Sequence, residues 1–306
     1  MKPQKYLQLF IYFVFVTSIS AEKYRGEVFR LFYPPALVSM GNTGVAYTPE
    51  PLSSTINPSI ISKTKTVYFY HGELYSGLIG LESFFFSTPN IFENLNTAIS
   101  VNFIHSDRLE VTEIRDSLST EGAVNVIARK PYLFYNLNII SARPINERSN
   151  FGFSLKVFRE QFHDYVENGL GVDLGYVFQS RRLAYGFVLR DAFYSIFKRN
   201  SIEKVAPSLL IGATLNDEKL AWSIELEIFT DGPYPGALYT YKNFSIEGKT
   251  GFVYTLTENL GLRLGFYRGY LNAGINLKYK RFRLDYAISP HPDLNVTHRV
   301  GAGICL

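Results

Sequence analysis

From Leu260 to Leu306 the chain alternates apolar with polar or small residues almost without a break. Leu260, Leu262, Leu264 and Phe266 share one face, with Gly261, Arg263 and Gly265 opposite. The pattern returns in Leu271 to Tyr279, in Phe282 to Ile288 and in His298 to Leu306. A period of two sends successive side chains to opposite faces, so each run reads as a β-strand. Four such runs joined by short turns predict an antiparallel meander. Its charges lie on one face and its apolar residues on the other, so the fold turns on what the apolar face touches.

Earlier segments repeat the pattern. Runs begin near Val67, Leu78, Ile99, Leu133, Phe151, Leu170, Leu183, Leu209, Leu220 and Phe244, which makes ten strands before the meander and fourteen in all. An even number suits a closed single-chain bacterial barrel, and strands of about nine to eleven residues suit a tilted crossing of a bilayer. Such a barrel alternates long outer loops with short periplasmic turns. The long gaps from Asp107 to Lys130, Glu160 to Glu167, Ala192 to Lys204, Thr230 to Tyr241 and Ser289 to Asn295 all follow odd strands. The tight connections at Gln179-Ser180-Arg181, Asn216-Asp217-Glu218, Leu256 to Asn259 and Lys280-Arg281 follow even ones. Three gaps misfit: Phe266 to Tyr270 is too short, whereas Ser87 to Asn94 and Ser141 to Ser149 are too long.

Charge placement favours a barrel over a sandwich. Lys156, Asp173, Arg190, Glu225, Glu227, Glu247, Lys249, Arg263, Lys278, Arg283 and Asp285 all fall opposite the apolar row. A Lys or Arg facing lipid at mid-bilayer costs about 2–4 kcal/mol. A sandwich also buries one face, but it explains neither the strand lengths nor the loop rule. Closure also removes the unpaired edges that a bilayer forbids. The expected fold is therefore all-β, a transmembrane antiparallel barrel of about fourteen strands, with these charges facing the lumen and pairing across it.

The N-terminus adds an export signal. Lys2 and Lys5 precede the apolar run Leu7 to Val16 and the small residues of Thr17-Ser18-Ile19-Ser20-Ala21. A basic start, a short apolar stretch and small residues make a cleaved secretory signal. The run is shorter than the ~20 residues of a spanning helix. The expected organisation is a signal peptide over 1–20, an N-terminal segment over 21–63 and the barrel over 64–306. Removing Lys2 and Lys5 leaves a net charge of +2 from +4.

The residue inventory narrows the chemistry. The 22 Tyr and 25 Phe suit strands. One cysteine, Cys305, excludes an intramolecular disulfide and a cysteine-based metal site. His71, His105, His163, His291 and His298 form no spaced metal motif, and no serine stands in a nucleophile context. His163-Asp164 and His291-Pro292-Asp293 fall in outer loops, where such residues are common. No cofactor and no enzymatic activity are expected. Scattered Lys and Arg give no nucleic-acid footprint.

The segment Glu22 to Lys63 does not alternate. Pro34-Pro35, Gly41, Gly44, Pro51 and Asn57-Pro58 predict turns and at most a short helix. No strand precedes its glycines and no Lys-Ser/Thr follows, so it is not a phosphate loop. Ala36, then Met40-Gly41-Asn42-Thr43-Gly44-Val45-Ala46, then Asn57-Pro58 resemble the N-terminal signature of the FadL-like outer-membrane barrels, closest to their PorV/PorQ-type branch. Arg283-Leu284-Asp285-Tyr286-Ala287 and Thr297-His298-Arg299 are similar to that family too. Asn42 stands where glycine is common, Ser59 replaces alanine, and Leu306 stands where an aromatic is usual.

The resemblance implies that residues 22–61 form a hatch in the lumen, with Met40, Gly41, Gly44, Asn57 and Pro58 as its motif. An ordinary extension on the periplasmic side is the other arrangement. The run Leu78 to Phe86 is apolar on both faces, which suits an inner side packed on a hatch. Tyr68, Tyr70 and Phe84 to Phe86 line a greasy path or serve as girdle and core. The resemblance implies passive transport of hydrophobic small molecules across the bacterial outer membrane. Its other branch implies an accessory role in protein secretion or surface attachment, with Asp107 to Lys130 as the largest binding surface. A structural barrel is the third reading. The partners implied are outer-membrane lipid, the barrel-assembly machinery that reads a last strand such as Val300, Ala302, Ile304 and Leu306, and a hydrophobic ligand or secretion partners.

Overall fold

A computed structural model describes residues 27–61, 64–92, 95–114, 124–162, 165–197, 202–234, 236–291 and 294–306. The signal segment 1–20, the start of the N-terminal segment, His163-Asp164 and Pro292-Asp293 lie outside the described residues.

Fourteen long strands among the described residues form one antiparallel sheet. They are β1 Thr66–Leu74, β2 Ile79–Phe92, β3 Leu95–Ile114, β4 Val124–Asn146, β5 Ser149–Phe162, β6 Tyr165–Gln179 and β7 Leu183–Phe197. The rest are β8 Ser208–Asn216, β9 Leu220–Phe229, β10 Phe244–Thr257, β11 Leu260–Tyr267, β12 Tyr270–Tyr279, β13 Phe282–His291 and β14 Asn295–Cys305. Each long strand pairs with its sequence neighbours, and Thr66 to Glu73 of β1 pair with Cys305 to His298 of β14. That last ladder closes the ring, so no long strand keeps an open edge along its paired length. Two short pieces, Ile202–Lys204 and Tyr239–Tyr241, extend the sheet on β7 and β10.

The outside of the ring is the apolar row. Along β9, Trp222, Ile224 and Leu226 are exposed, while Ser223, Glu225 and Glu227 between them are buried. Phe69, Val101, Phe153, Phe187, Leu264 and Leu284 continue this face around the barrel. An uninterrupted apolar exterior over a charged interior is the inverse of a water-soluble protein, and it spans a bilayer. No helix among the described residues is long and apolar enough to cross a membrane, so strands alone make the crossing.

The connections sort by end. Where β1 starts and β14 finishes, the joins are tight, as at 147–148, 180–182 and 280–281. Short turns mark the periplasmic end, so the other end faces outward. Two sequence misfits resolve here. β2 continues to Phe92 and β4 to Asn146, so Ser87 to Asn94 and Ser141 to Ser149 are mostly strand. Irregular pairing at Thr88/Phe92 and at Pro144/Asn146 hides the alternation there. Phe266 to Tyr270 is a true exception, a tight outer turn with Arg268 and Gly269 at positive φ. The expected long loop Asp107 to Lys130 is largely hairpin as well. β3 runs 20 residues and β4 runs 23, about twice what a crossing needs, so the pair stands out beyond the barrel rim.

Residues Glu27 to Ile61 lie inside the ring. A 3-10 turn, Glu27–Phe32, leads to the one-turn helix α1, Pro35–Val38, and a second 3-10 turn covers Pro51–Thr55. Pro35 supplies the fixed φ of a first helical position. Gly41 (φ 66°) and Asn42 (φ 61°) end the turn in the left-handed region. Asparagine tolerates that conformation better than most residues, which explains Asn42 at a position where glycine is common.

The exterior assignment is open to a direct check. Ile224→Lys places a cation on the lipid face near mid-strand and is expected to lower stability in vesicles by about 2–4 kcal/mol. Reversible urea titration in lipid measures it; an unchanged midpoint would move Ile224 off the lipid.

Candidate functional site

The inner segment meets the wall on all sides, and small inward residues make this possible. Gly186 of β7 lies against the Val45 carbonyl, and Gly265 of β11 against the Met40–Gly41 peptide. A Cβ at either position would overlap backbone atoms. Gly44 likewise sits against Ile56, and Pro58 lies over Gly152 and Gly175.

Apolar contacts fill the remaining space. Phe29 is edge-on to Phe134, Phe158 and Tyr194 at 5.5–5.7 Å between centroids. Phe32, Ala36, Leu52 and Ile61 pack with Leu81 and Phe85 of β2. Leu37, Met40, Val45 and Ile56 pack with Val188 and Leu210. The doubly apolar run of β2 therefore has a distinct partner on each side. Phe85 points in, whereas Phe84 is exposed outward. Tyr68 and Tyr70 are buried, with hydroxyls on Asp285 and on the Phe32 carbonyl, so they line a filled interior and not an open path.

Polar anchors hold the segment where its backbone has left regular structure. Glu225 Oε1 accepts from Gly44 N (2.5 Å) and Val45 N (2.6 Å). Asn57 Nδ2 donates to the carbonyls of Val45 (2.6 Å) and Tyr176 (3.2 Å), and its Oδ1 accepts from Ser59 N (3.0 Å). Asn57 thus ties two turns of the segment to each other and to β6. Met40, Gly41, Gly44, Asn57 and Pro58, singled out in the sequence, are all at contacts between segment and wall.

The lumen charges form three clusters. Near the periplasmic end, Glu50 of the segment receives both Nη atoms of Arg283 at 2.6 Å. Arg283 and Arg263 each also reach Asp285 at 2.5 Å. Toward the outer end, Glu227 takes Arg30 (2.8 Å), Arg190 (2.7 Å) and Lys249 (2.7 Å). Glu247 takes Arg30 (3.3 Å) and Arg268 (2.5 Å). On the far wall, Lys156 bridges Asp173 (2.8 Å) and Asp191 (2.5 Å). Lys278 is the exception among the sequence-selected charges: it lies exposed at the periplasmic mouth.

Sequence reasoning missed four members of these clusters, Glu50, Arg30, Arg268 and Asp191, and one further buried cation. Glu50 and Arg30 come from the non-alternating segment, where period carries no information. Asp191 turns inward beside Arg190 because β7 bulges against β6 between Val172 and Leu174, with Asp191 at φ 53°. A bulge lets consecutive residues share a face, and the only trace in the sequence is the interrupted alternation after Leu189. Arg268 lies in the tight turn at the end of β11, and the further cation, outside the clusters, is Arg299. It is buried, its Nη1 donates to the carbonyls of Leu31 (2.7 Å) and Tyr33 (2.5 Å), and its Nε has no partner among the described residues.

The segment leaves two recesses. The outer one, about 550 Å³, has Leu74, Tyr75, Ile79, Ile104, Tyr132 and Tyr267 on its walls and Val28, Leu31, Val38 and Asn42 of the segment as its floor. Arg299 and Arg268 border it. The periplasmic one, about 520 Å³, is polar and lies between Tyr47, Glu50 and Pro51 of the segment and strand ends that include Arg263, Lys278 and Arg283. No cluster of metal-ligating side chains occurs among the described residues. His71 and His105 sit on the outer surface beside Glu82 (3.2 and 3.4 Å). His298, also on the outer surface, meets Tyr286 (2.7 Å).

A closed fourteen-strand transmembrane barrel with a segment docked inside it is the class that this geometry defines. Solved structures of the same architecture exist. The chain is similar to the Ralstonia pickettii toluene transporter TbuX, with a TM-score of 0.59 and 11% identity over 89% of this chain and 97% of that one. It is similar to the Pseudomonas putida toluene transporter TodX, at 0.62 and 10% over 89% and 96%. A Pseudomonas aeruginosa FadL homologue gives 0.55 and 10% over 89% and 98%. The likeness is one of fold, and the neighbours are FadL-type outer-membrane barrels. No family model and no curated protein sequence matches the chain.

The Glu50 anchor yields a second expectation. Glu50→Ala strands Arg283 and Arg263 as buried cations short of a partner, which costs about 3–5 kcal/mol. Hydrogen-exchange mass spectrometry over residues 36–60 is expected to show protection falling correspondingly, while the β9 amides keep theirs. Unchanged protection would mean that the ion pair does not hold the segment.

Proposed function

We propose that this protein is a passive outer-membrane channel for hydrophobic small molecules, with the inner segment as its gate. One observation carries the reading: an aliphatic and aromatic recess opens at the outer end and stops on a segment docked on the wall by noncovalent contacts. A recess of this size and lining suits a small apolar ligand. Similarity of fold to transporters of toluene supports the reading, though fold alone does not assign function. Displacement of the segment from Glu225, Asn57 and Arg283 opens the path inward, and the gradient of the ligand supplies the drive. No energy-coupling element is needed for such a channel.

A second reading rests on a different feature. The β3–β4 hairpin stands beyond the rim and exposes Val126 and Ile127. An accessory barrel of the PorV/PorQ type, bound to a secretion or attachment partner, would use such a projection and would tolerate a filled lumen.

Uptake separates the two. Outer-membrane-permeability assays with labelled toluene are expected to show faster entry in cells producing the barrel than in cells lacking it. Ile104→Trp, which narrows the outer recess, is expected to cancel part of the gain at equal surface abundance. Entry no faster than in the control, together with a protein that co-purifies with the barrel and is lost on trimming the hairpin, would replace transport with the accessory role.

A further inference from the structure

The exterior wall carries a dent near the seam that closes the ring. A groove of about 750 Å³ runs along the lipid-facing side where β1, β14, β13 and β12 meet, at their periplasmic ends. Its floor is Ala302. The residues paired with Ala302 across the two neighbouring ladders are Phe69 and Leu284, both large and both outward. Val67, Ile304 and Phe282 close the groove toward the periplasm. A single small side chain between bulky rows therefore makes an apolar groove, open on the lipid side and backed by the sheet.

The rim has its own chemistry. Tyr279 and Phe282 are among the most exposed aromatics of the barrel, at 66% and 60%. They mark the interfacial level, where aromatic rings collect. The turn between them is Lys280-Arg281. Both side chains are exposed, and neither has a carboxylate partner among the described residues. Lys280 Nζ lies 5.4 Å from the centre of the Tyr279 ring. Two exposed cations thus sit in the turn at the periplasmic end of the groove, Lys280 beside the groove residue Tyr279, where they also border the periplasmic recess.

We propose that this groove is a binding site for one anionic glycerophospholipid of the periplasmic leaflet. An acyl chain lies over Ala302 between Phe69 and Leu284, and the phosphate rests on Lys280 and Arg281. Charge complementarity selects this occupant. A second barrel seated through this face would bring four cations together, and a neutral lipid would leave both of this chain's cations without a counterion. The groove lies on the lipid side of the sheet, and its headgroup end meets the mouth of the periplasmic recess. It lies on the ladder that closes the ring, so the bound lipid braces the β1–β14 seam.

Native mass spectrometry of the full-length barrel in mild detergent tests this, with phosphatidylglycerol and phosphatidylcholine as competing probes. The wild type is expected to retain one phosphatidylglycerol in preference to phosphatidylcholine, by on the order of 30-fold for two basic contacts. Ala302→Phe fills the groove and is expected to lose the adduct. Lys280→Gln with Arg281→Gln is expected to keep an adduct but lose the preference. Heat-modifiable gel mobility confirms that each variant is folded; should Ala302→Phe not assemble, the double variant alone decides. Retention of the lipid by folded Ala302→Phe, or an unchanged preference in the double variant, would overturn the proposal. So would a wild-type dimer that Ala302→Phe converts to monomer, since the occupant would then be a second copy.

Discussion

A bilayer offers no water to an unpaired amide, and the pairing of β1 with β14 answers that constraint. Without the Thr66–Cys305 to Glu73–His298 ladder the sheet would present two long open edges to lipid. Closure turns every inward side chain toward a common lumen. Everything in the lumen must then be satisfied by what the ring encloses. The charges of both signs on the inner face follow from this, because an isolated buried ion is far costlier than a paired one.

A ring of this width cannot be filled by its own side chains, and the inner segment supplies the missing volume. Its irregular backbone brings unpaired amides into the barrel. Glu225 and Asn57 take up part of that load, and Glu50 in turn completes the charge of Arg283. Segment and wall are therefore one network, in which removing either leaves buried polar groups on the other. The segment's ties are hydrogen bonds and ion pairs, and its apolar residues pack into two buried clusters with the wall. Two recesses on either side of it are the volume that the segment leaves unfilled.

Where alternation was strict, the sequence showed both the strand and its orientation. Trp222, Ile224 and Leu226 against Ser223, Glu225 and Glu227 is such a case. Where it faltered, the structure holds a bulge or an irregular pairing, as at Asp191, at Thr88 and at Pro144. The β3–β4 hairpin shows the other limit. Its outer part has no lipid on one side and no lumen on the other, so nothing imposes a two-residue period, and a long loop was the natural reading.

The sequence by itself determined the strands, their number and the face each turns to lipid, because a side-chain period of two is a local property. It did not determine which inward residues meet. Glu50 and Arg283 are 233 positions apart, and Arg299 reaches Leu31 across 268. Such pairs depend on the stagger between successive strands, summed around the ring, and on the path of a segment that has no period at all. Only closure of the barrel sets those two quantities, and with them the clusters, the recesses and the groove at the seam.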